Sequence, residues 1–440
     1  MAESRPRQLW LERCREWIRP WYLRGFYFRL HPERRPAEFS RCWTVPHEFQ
    51  GASPRLDIPP PHPQLPDVLI LPMTDWHHRL QRSQRLAMAL AQLGRRCFLL
   101  NPHLGREYRK WSWRRRPPAL AQLGDRLYEI HAPLPAEPVF HHRLLASSES
   151  RAVAGAIDWA LERARAQQLD ILFALPTWND CAMELRRRWQ ALIVYDCHDW
   201  IAGFPNMARA VVDAEQHSMA VSDLVLFCSS GLRELYTSRL PEIRTRSHLV
   251  GNGIPDWPEA SKPRPQSPVV GYVGALETWF WTEAVLEAAR RLPQAQFVLA
   301  GDPCTSVRAS LAGLANVTFR GEIPPGAVPE FLSGCRVGLI PRTSALSRYM
   351  APIKVFEYFW FGLPVVSGRM PELDPFGPLV YQASTPDEFA RAVAAALAEN
   401  DPVRDEARRA EARAATWRRR AEALNELLVE TPRRSGGRVS

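Results

Sequence analysis

The chain has 440 residues, 46% of them hydrophobic and 24% charged, which is too long for one ordinary core and too apolar for a disordered protein. Its 57 Lys and Arg against 47 Asp and Glu give a formal charge of +10, so the expected partner is anionic: nucleotide phosphates, nucleic acid or a membrane surface. No apolar run approaches the ~20 residues that cross a bilayer and no signal peptide opens the chain; eight scattered cysteines without a CxxC pair read as reduced thiols in a cytoplasm.

Residues 1–64 form a basic, aromatic, Pro-rich extension. In "RQLWLERCREWIRPWYLRGFYFRL" (Arg7 to Leu30) Trp and Arg recur at helical spacing, the pattern of a helix lying on an anionic membrane surface. A second basic-aromatic stretch is "REYRKWSWRRRP" (Arg106 to Pro117). No helix-turn-helix, zinc-finger or RNP pattern accompanies this charge, so nucleic acid is not the expected partner.

From "PDVLILP" (Pro66 to Pro72) onward, short apolar runs alternate with helical patterns, the signature of βαβ units on a parallel sheet. Strands are predicted at Val68–Leu71, Cys97–Leu100, Ile171–Ala174, Leu192–Tyr195 and Leu224–Cys228, with helices such as Gln81–Leu93 and Arg151–Gln167 between them. The Pro-rich "PEASKPRPQSP" (Pro258 to Pro268) reads as a linker. A second series follows, with strands at Val269–Val273, Gln296–Ala300, Val317–Phe319, Val337–Ile340 and Val365–Val366. Its helices are Glu283–Leu292, Val328–Leu332, Ile353–Phe361 and Pro386–Ala398. One long polar helix, roughly Val403 to Val429, and a disordered tail at 431–440 end the chain. The expected fold class is α/β, with two doubly wound Rossmann-like domains at 65–258 and 259–410 facing a central cleft, and a closing helix at 411–430.

The segment "APIKVFEYFWFGLPVVSG" (Ala351 to Gly368) places Lys354 and Glu357 on one face of an otherwise apolar helix, because residues three apart are neighbours. Pro352 suits the helix start, which puts free N–H groups at the mouth of the sheet. A carboxylate there can accept from vicinal ribose hydroxyls while the ammonium meets a diphosphate; the plain alternative is a surface salt bridge of a few tenths of a kcal/mol. "YDCHDW" puts Asp196, His198 and Asp199 at the carboxyl end of an apolar strand, where either carboxylate could serve as general base for a hydroxyl. The alternative is an N-cap and a packed histidine. D-x-H-D without a distant partner cluster is not expected to hold a metal. Asp75, Trp76, Arg79 and Gln81 follow the first strand. Ser229 and Ser230 read as helix caps, and Asn252 and Gly253 as a turn in which glycine supplies a positive φ.

"PIKVFEYFWFGLPVV" resembles the donor-site motif of GT-B glycosyltransferases, especially family 4 and its relatives. "VVGYVGAL", "VLAGD", "CRVGLIP" and "ATWRRRAEALNELL" follow in the expected order, as do "DWHHRLQRSQRLAMALAQLG", "VYDCHDW", "VLFCSSGL" and "VGNGIP" in the front half, covering roughly residues 65–430. The resemblance implies a front, acceptor-side domain and a rear, nucleotide-sugar-binding domain, with Glu357 on the ribose and His198 near the donor sugar. Gly274, Arg342, Arg348 and Lys354 would serve the diphosphate, and Asp75, Trp76, Arg79 and Gln81 the acceptor side. It implies transfer from a nucleoside-diphosphate sugar to a hydroxyl of a glycan or lipid-linked acceptor in cell-surface polysaccharide biosynthesis, without cofactor or metal; the thiols and the basic-aromatic stretches add the expectation of a cytoplasmic protein peripheral to the inner face of the cell membrane. Two departures accompany it. Position 349 is Tyr349, where many relatives carry a second acidic residue, and "GALETWFW" (Gly274 to Trp281) has neither the Arg nor the Lys common in that loop. The alternatives are a nucleotide-sugar 2-epimerase of the same architecture and a non-catalytic basic scaffold.

Overall fold

The computed structural model describes residues 56, 58–73, 76, 80–101, 118–132, 143–204, 207–258, 265–342 and 344–433. Both basic-aromatic stretches therefore lie outside the described residues, together with Asp75, Arg79, most of the linker and residues 434–440 of the tail; the start of the expected disordered tail is corrected, because the Arg433 guanidinium donates to Leu169 O at 2.9 Å and to the Asp170 carboxylate of the first domain.

The first domain is an eight-stranded sheet: β1 (Asp67–Leu71), β2 (Cys97–Asn101), β3 (Ala119–Gly124), β4 (Leu127–His131), β5 (Leu169–Phe173), β6 (Leu192–Cys197), β7 (Leu224–Phe227) and β8 (Ser247–Leu249), in the order 3-4-2-1-5-6-7-8. All neighbours are parallel except the β3–β4 hairpin at one edge. The strands β1, β2, β5, β6 and β7 are buried throughout, as expected of parallel strands covered by helices on both faces. The helices that matter here are α1 (Arg82–Gln92), α2 (Ser147–Arg163), α3 (Asn179–Trp189), α4 (Arg209–Val221) and α5 (Ser230–Arg239).

The second domain has six parallel strands: β9 (Val269–Val273), β10 (Gln296–Ala300), β11 (Val317–Gly321), β12 (Val337–Ile340), β13 (Val365–Gly368) and β14 (Val380–Ala383), in the order 11-10-9-12-13-14. Its helices are α6 (Thr282–Arg291), α7 (Thr305–Leu311), α8 (Val328–Ser333), α9 (Ile353–Trp360) and α10 (Pro386–Ala398). The order reverses at β9, and the crevice outside the carboxyl ends of the strands is where such sheets take ligands.

The single terminal helix expected from the sequence is two helices, α11 (Pro402–Ala414) and α12 (Trp417–Glu430). The break has a structural reason. Ile254, in the segment joining the domains, donates its N–H to Ala415 O (3.0 Å) and accepts from the Trp417 N–H (2.9 Å), and the Thr416 hydroxyl caps the new helix at Arg419 N. The chain thereby returns to the first domain, where Trp417, Ala421, Leu424 and Leu428 share a core with Val68, Ile70, Leu86 and Leu90. Gly253 beside the break is also corrected: it does not have a positive φ. Glycine is needed there for close approach, because a Cβ would lie 2.8 Å from Trp417 N.

Candidate active site

Helix α9 starts after Pro352, whose backbone is still extended. Val355, Tyr358 and Phe359 are fully buried, and Tyr358 donates its hydroxyl to Leu339 O of β12 at 2.9 Å. Seating that face on the sheet turns the opposite one, with Lys354 and Glu357, into a cleft of about 640 Å³ between the domains. Burial pushes the Lys354 ammonium down and the Glu357 carboxyl up, each partly offset by the other. Among the described residues neither group has a hydrogen bond or a close ion pair, so the simple salt bridge does not form. The shape around Lys354 depends on Gly274, at φ +141°, where a Cβ would sit 2.7 Å from Lys354 Nζ. Gly274 thus makes room for the lysine. The ammonium lies 5.8 Å from the centre of the Tyr272 ring.

The front wall comes from β6 and α1. Asp196 is not a free base: its side chain is 5% exposed and both oxygens accept from Arg82 Nε, at 3.0 and 2.9 Å. The loop after it turns His198 and Asp199 into the cleft. His198 is 10% exposed, with Nδ1 3.2 Å from Asp196 O and Nε2 3.8 Å from Asp199 Oδ2. Asp199, with 31% of its side chain exposed, is the carboxylate a substrate can reach. Burial raises its carboxyl against the pull of His198, Arg342 and Arg82.

Arg342 follows β12 and lines the same cleft; its guanidinium lies 5.2 Å from the centre of the Trp279 ring, and its Nε is buried with no hydrogen-bond partner. Arg348 does not join it: the side chain is exposed beside the Tyr349 ring. Gln81 lines the cleft at the start of α1, with its N–H on Gln84 Oε1 at 3.1 Å; Trp76 packs against the core under α1. Ser229 is a cap, accepting from Leu232 N at 3.2 Å, and it also donates to Tyr349 O of the second domain at 2.8 Å. Ser230 instead reaches Glu372.

Sequence reasoning missed Arg82 and Arg85. Arg85 lines the cleft and is near enough to Glu357 to hold its carboxyl down. The signal was available: "RSQRLAMAL" (Arg82 to Leu90) carries two arginines three apart at the start of an amphipathic helix, as Lys354 and Glu357 are three apart in α9. Among the described residues no group of three or more His, Cys, Asp or Glu is placed to hold a metal ion, and no helix is long and apolar enough to cross a membrane.

Residues 280–426 match the family model described as "Glycosyl transferase-like". No curated protein matches the chain. Among solved structures, sucrose-phosphate synthase from Thermosynechococcus elongatus is similar at 16% identity and TM-score 0.58, over 82% of this chain and 98% of that one. The catalytic domain of starch synthase IV from Arabidopsis thaliana, bound to ADP and acarbose, aligns at 12% identity and TM-score 0.59, over 83% and 99%. Anabaena HepE in complex with UDP and glucose aligns at 13% and 0.55, over 83% and 99%. The protein thus has the GT-B fold of these structures, and its residues 280–426 match the glycosyl transferase-like family model.

Proposed function

We propose that the protein moves a sugar from a nucleoside-diphosphate sugar to a hydroxyl of a glycan or lipid-linked acceptor in cell-surface polysaccharide assembly. The observation that carries this reading is the pair of unpaired opposite charges, Lys354 and Glu357, facing Asp199 across an interdomain cleft. Glu357 accepts from the ribose hydroxyls. Lys354, Arg342 and the first amides of α9 meet the diphosphate, with Arg85 adding positive charge from the front wall; these protein cations stand where other enzymes use a metal. As the bond from the anomeric carbon to the phosphate oxygen breaks, the acceptor oxygen bonds to that carbon and its proton passes to Asp199.

The placement at the inner face of a cytoplasmic membrane rests on the basic-aromatic stretches at 7–30 and 106–117. A thermal-shift panel of UDP, GDP, ADP and dTDP tests the site. The matching nucleotide at 100 times its Kd stabilises by ~2.7 kcal/mol, and no shift with any of them contradicts the proposal.

A further inference from the structure

Besides the contacts of Ser229 with Tyr349 O and of Ser230 with Glu372, the two walls of the cleft are joined by polar contacts through Asn252, in the segment that links the domains. Its Nδ2 donates to Ala351 O, two residues before α9, at 3.2 Å. Its Oδ1 accepts from Arg82 Nη1 at 3.2 Å. Arg82 is buried and continues the line: Nη1 also reaches Gly251 O (2.9 Å), Nη2 reaches Val250 O (2.7 Å), and Nε grips the Asp196 carboxylate. From Asp196 the backbone carbonyl meets His198 Nδ1 at 3.2 Å. Arg420 of α12 fixes the Asn252 backbone, Nε to O at 3.1 Å.

We propose that Asn252 and Arg82 are positioning residues, forming a strut that transmits occupation of the Lys354/Glu357 helix to the His198–Asp199 loop on the opposite domain. Asparagine suits this post because one short amide both accepts from a guanidinium and donates to a carbonyl. Arg82 suits the next because its planar fork holds a carboxylate and several carbonyls at fixed angles. Every link is buried or half-buried, so water does not readily replace a lost partner. A ligand that draws the start of α9 toward itself therefore shifts the front-domain loop through a chain of short polar contacts, and the base is set for the acceptor only once a donor is in place.

The inference rests on nucleotide binding at α9, and its test separates the two. Hydrogen exchange of amides 198–204 is followed in the intact protein and in Asn252→Asp and Asn252→Ala, with and without whichever of UDP, GDP, ADP or dTDP binds. Asn252→Asp keeps an acceptor for Arg82, now charged, and replaces the donor to Ala351 O by an oxygen that repels it; Asn252→Ala removes both contacts. Nucleotide should slow exchange at 198–204 in the intact protein. In both variants that protection should be lost while nucleotide still protects the start of α9, a separation that simple loss of stability would not give. Protection at 198–204 retained in Asn252→Asp with nucleotide bound overturns the strut alone. No nucleotide binding in the intact protein overturns the strut and the proposed function together. If Asn252→Ala fails to fold, Asn252→Asp decides.

Discussion

Glu357→Gln tests the donor site with the least disturbance of the fold. The carboxylate is half-buried, burial already pushes its pKa up, and no hydrogen bond among the described residues is lost when its charge is removed. The substitution keeps the shape and one acceptor oxygen, and relief of the carboxylate's burial opposes the loss of the Lys354 counter-charge, so unfolding stability should change by no more than about 1 kcal/mol. Binding should change much more. Two charge-assisted hydrogen bonds to vicinal hydroxyls are each worth about 1.5–3 kcal/mol. Replacing them by weaker neutral contacts, and leaving Lys354 without its nearest counter-charge, should cost about 2–3 kcal/mol in total, a 30- to 150-fold rise in Kd. Calorimetry with the nucleotide that stabilises the intact protein measures this directly, beside a melting curve of each form. Equal affinities in the two proteins would refute the ribose role, and a large fall in melting temperature would show that Glu357 holds the fold instead.

The two carboxylates after β6 should behave differently. Asp199→Asn should abolish turnover with nucleotide affinity and melting temperature retained, whereas Asp196→Asn should destabilise by roughly 3 kcal/mol because it leaves the Arg82 guanidinium buried without its counter-charge; kinetics and melting curves of both decide it. Lys354→Ala should lower kcat more than it raises the donor KM, since the charge it meets is greatest in the transition state, and Arg342→Ala should act in the same direction; full activity in both would place the diphosphate elsewhere. Glu215, buried in α4, accepts from the hydroxyls of Tyr195 and Tyr236 and is pushed up to about 7 by burial, with those two hydrogen bonds and Arg239 opposing the shift and Asp199 adding to it. The folded state therefore binds more protons than the unfolded one between the ordinary carboxyl value and about 7, so stability is full at low pH in that window and declines as pH rises through it, by up to about 3 kcal/mol. Glu215→Gln should flatten that slope in melting curves from pH 5 to 8, and an unchanged slope would assign it to other groups.

Most strands were legible because a parallel strand covered on both faces is a continuous apolar run. "VLIL", "LIVY" and "VGLI" could hardly be anything else between helical patterns. The β3–β4 hairpin was not legible. "ALAQLGDRLYEIH" is interrupted by Gln122 and Glu129, and Glu129 is acceptable inside because partners such as Asn101 and His131 contact it. The edge strand β14 is four residues with two polar-tipped side chains. In the cleft, Lys354 and Glu357 stood out because charge within an apolar helix demands a reason. The difference between Asp196 and Asp199 could not be read locally: it is made by Arg82, which is 114 positions from Asp196 in sequence. The break at Ala415 was hidden for the same reason, since its cause is the backbone of Ile254.

The central claim is group transfer from a nucleotide sugar, and product analysis tests it most directly. Purified protein is incubated with UDP-, GDP-, ADP- and dTDP-sugars, with and without glycan and lipid-linked acceptors, and nucleoside diphosphate release and the fate of the sugar are followed together. One donor should release its nucleoside diphosphate, the sugar should appear on the acceptor, and both should fall sharply in Lys354→Ala. Intact donors throughout, or conversion of the sugar without an acceptor as an epimerase would give, would contradict it.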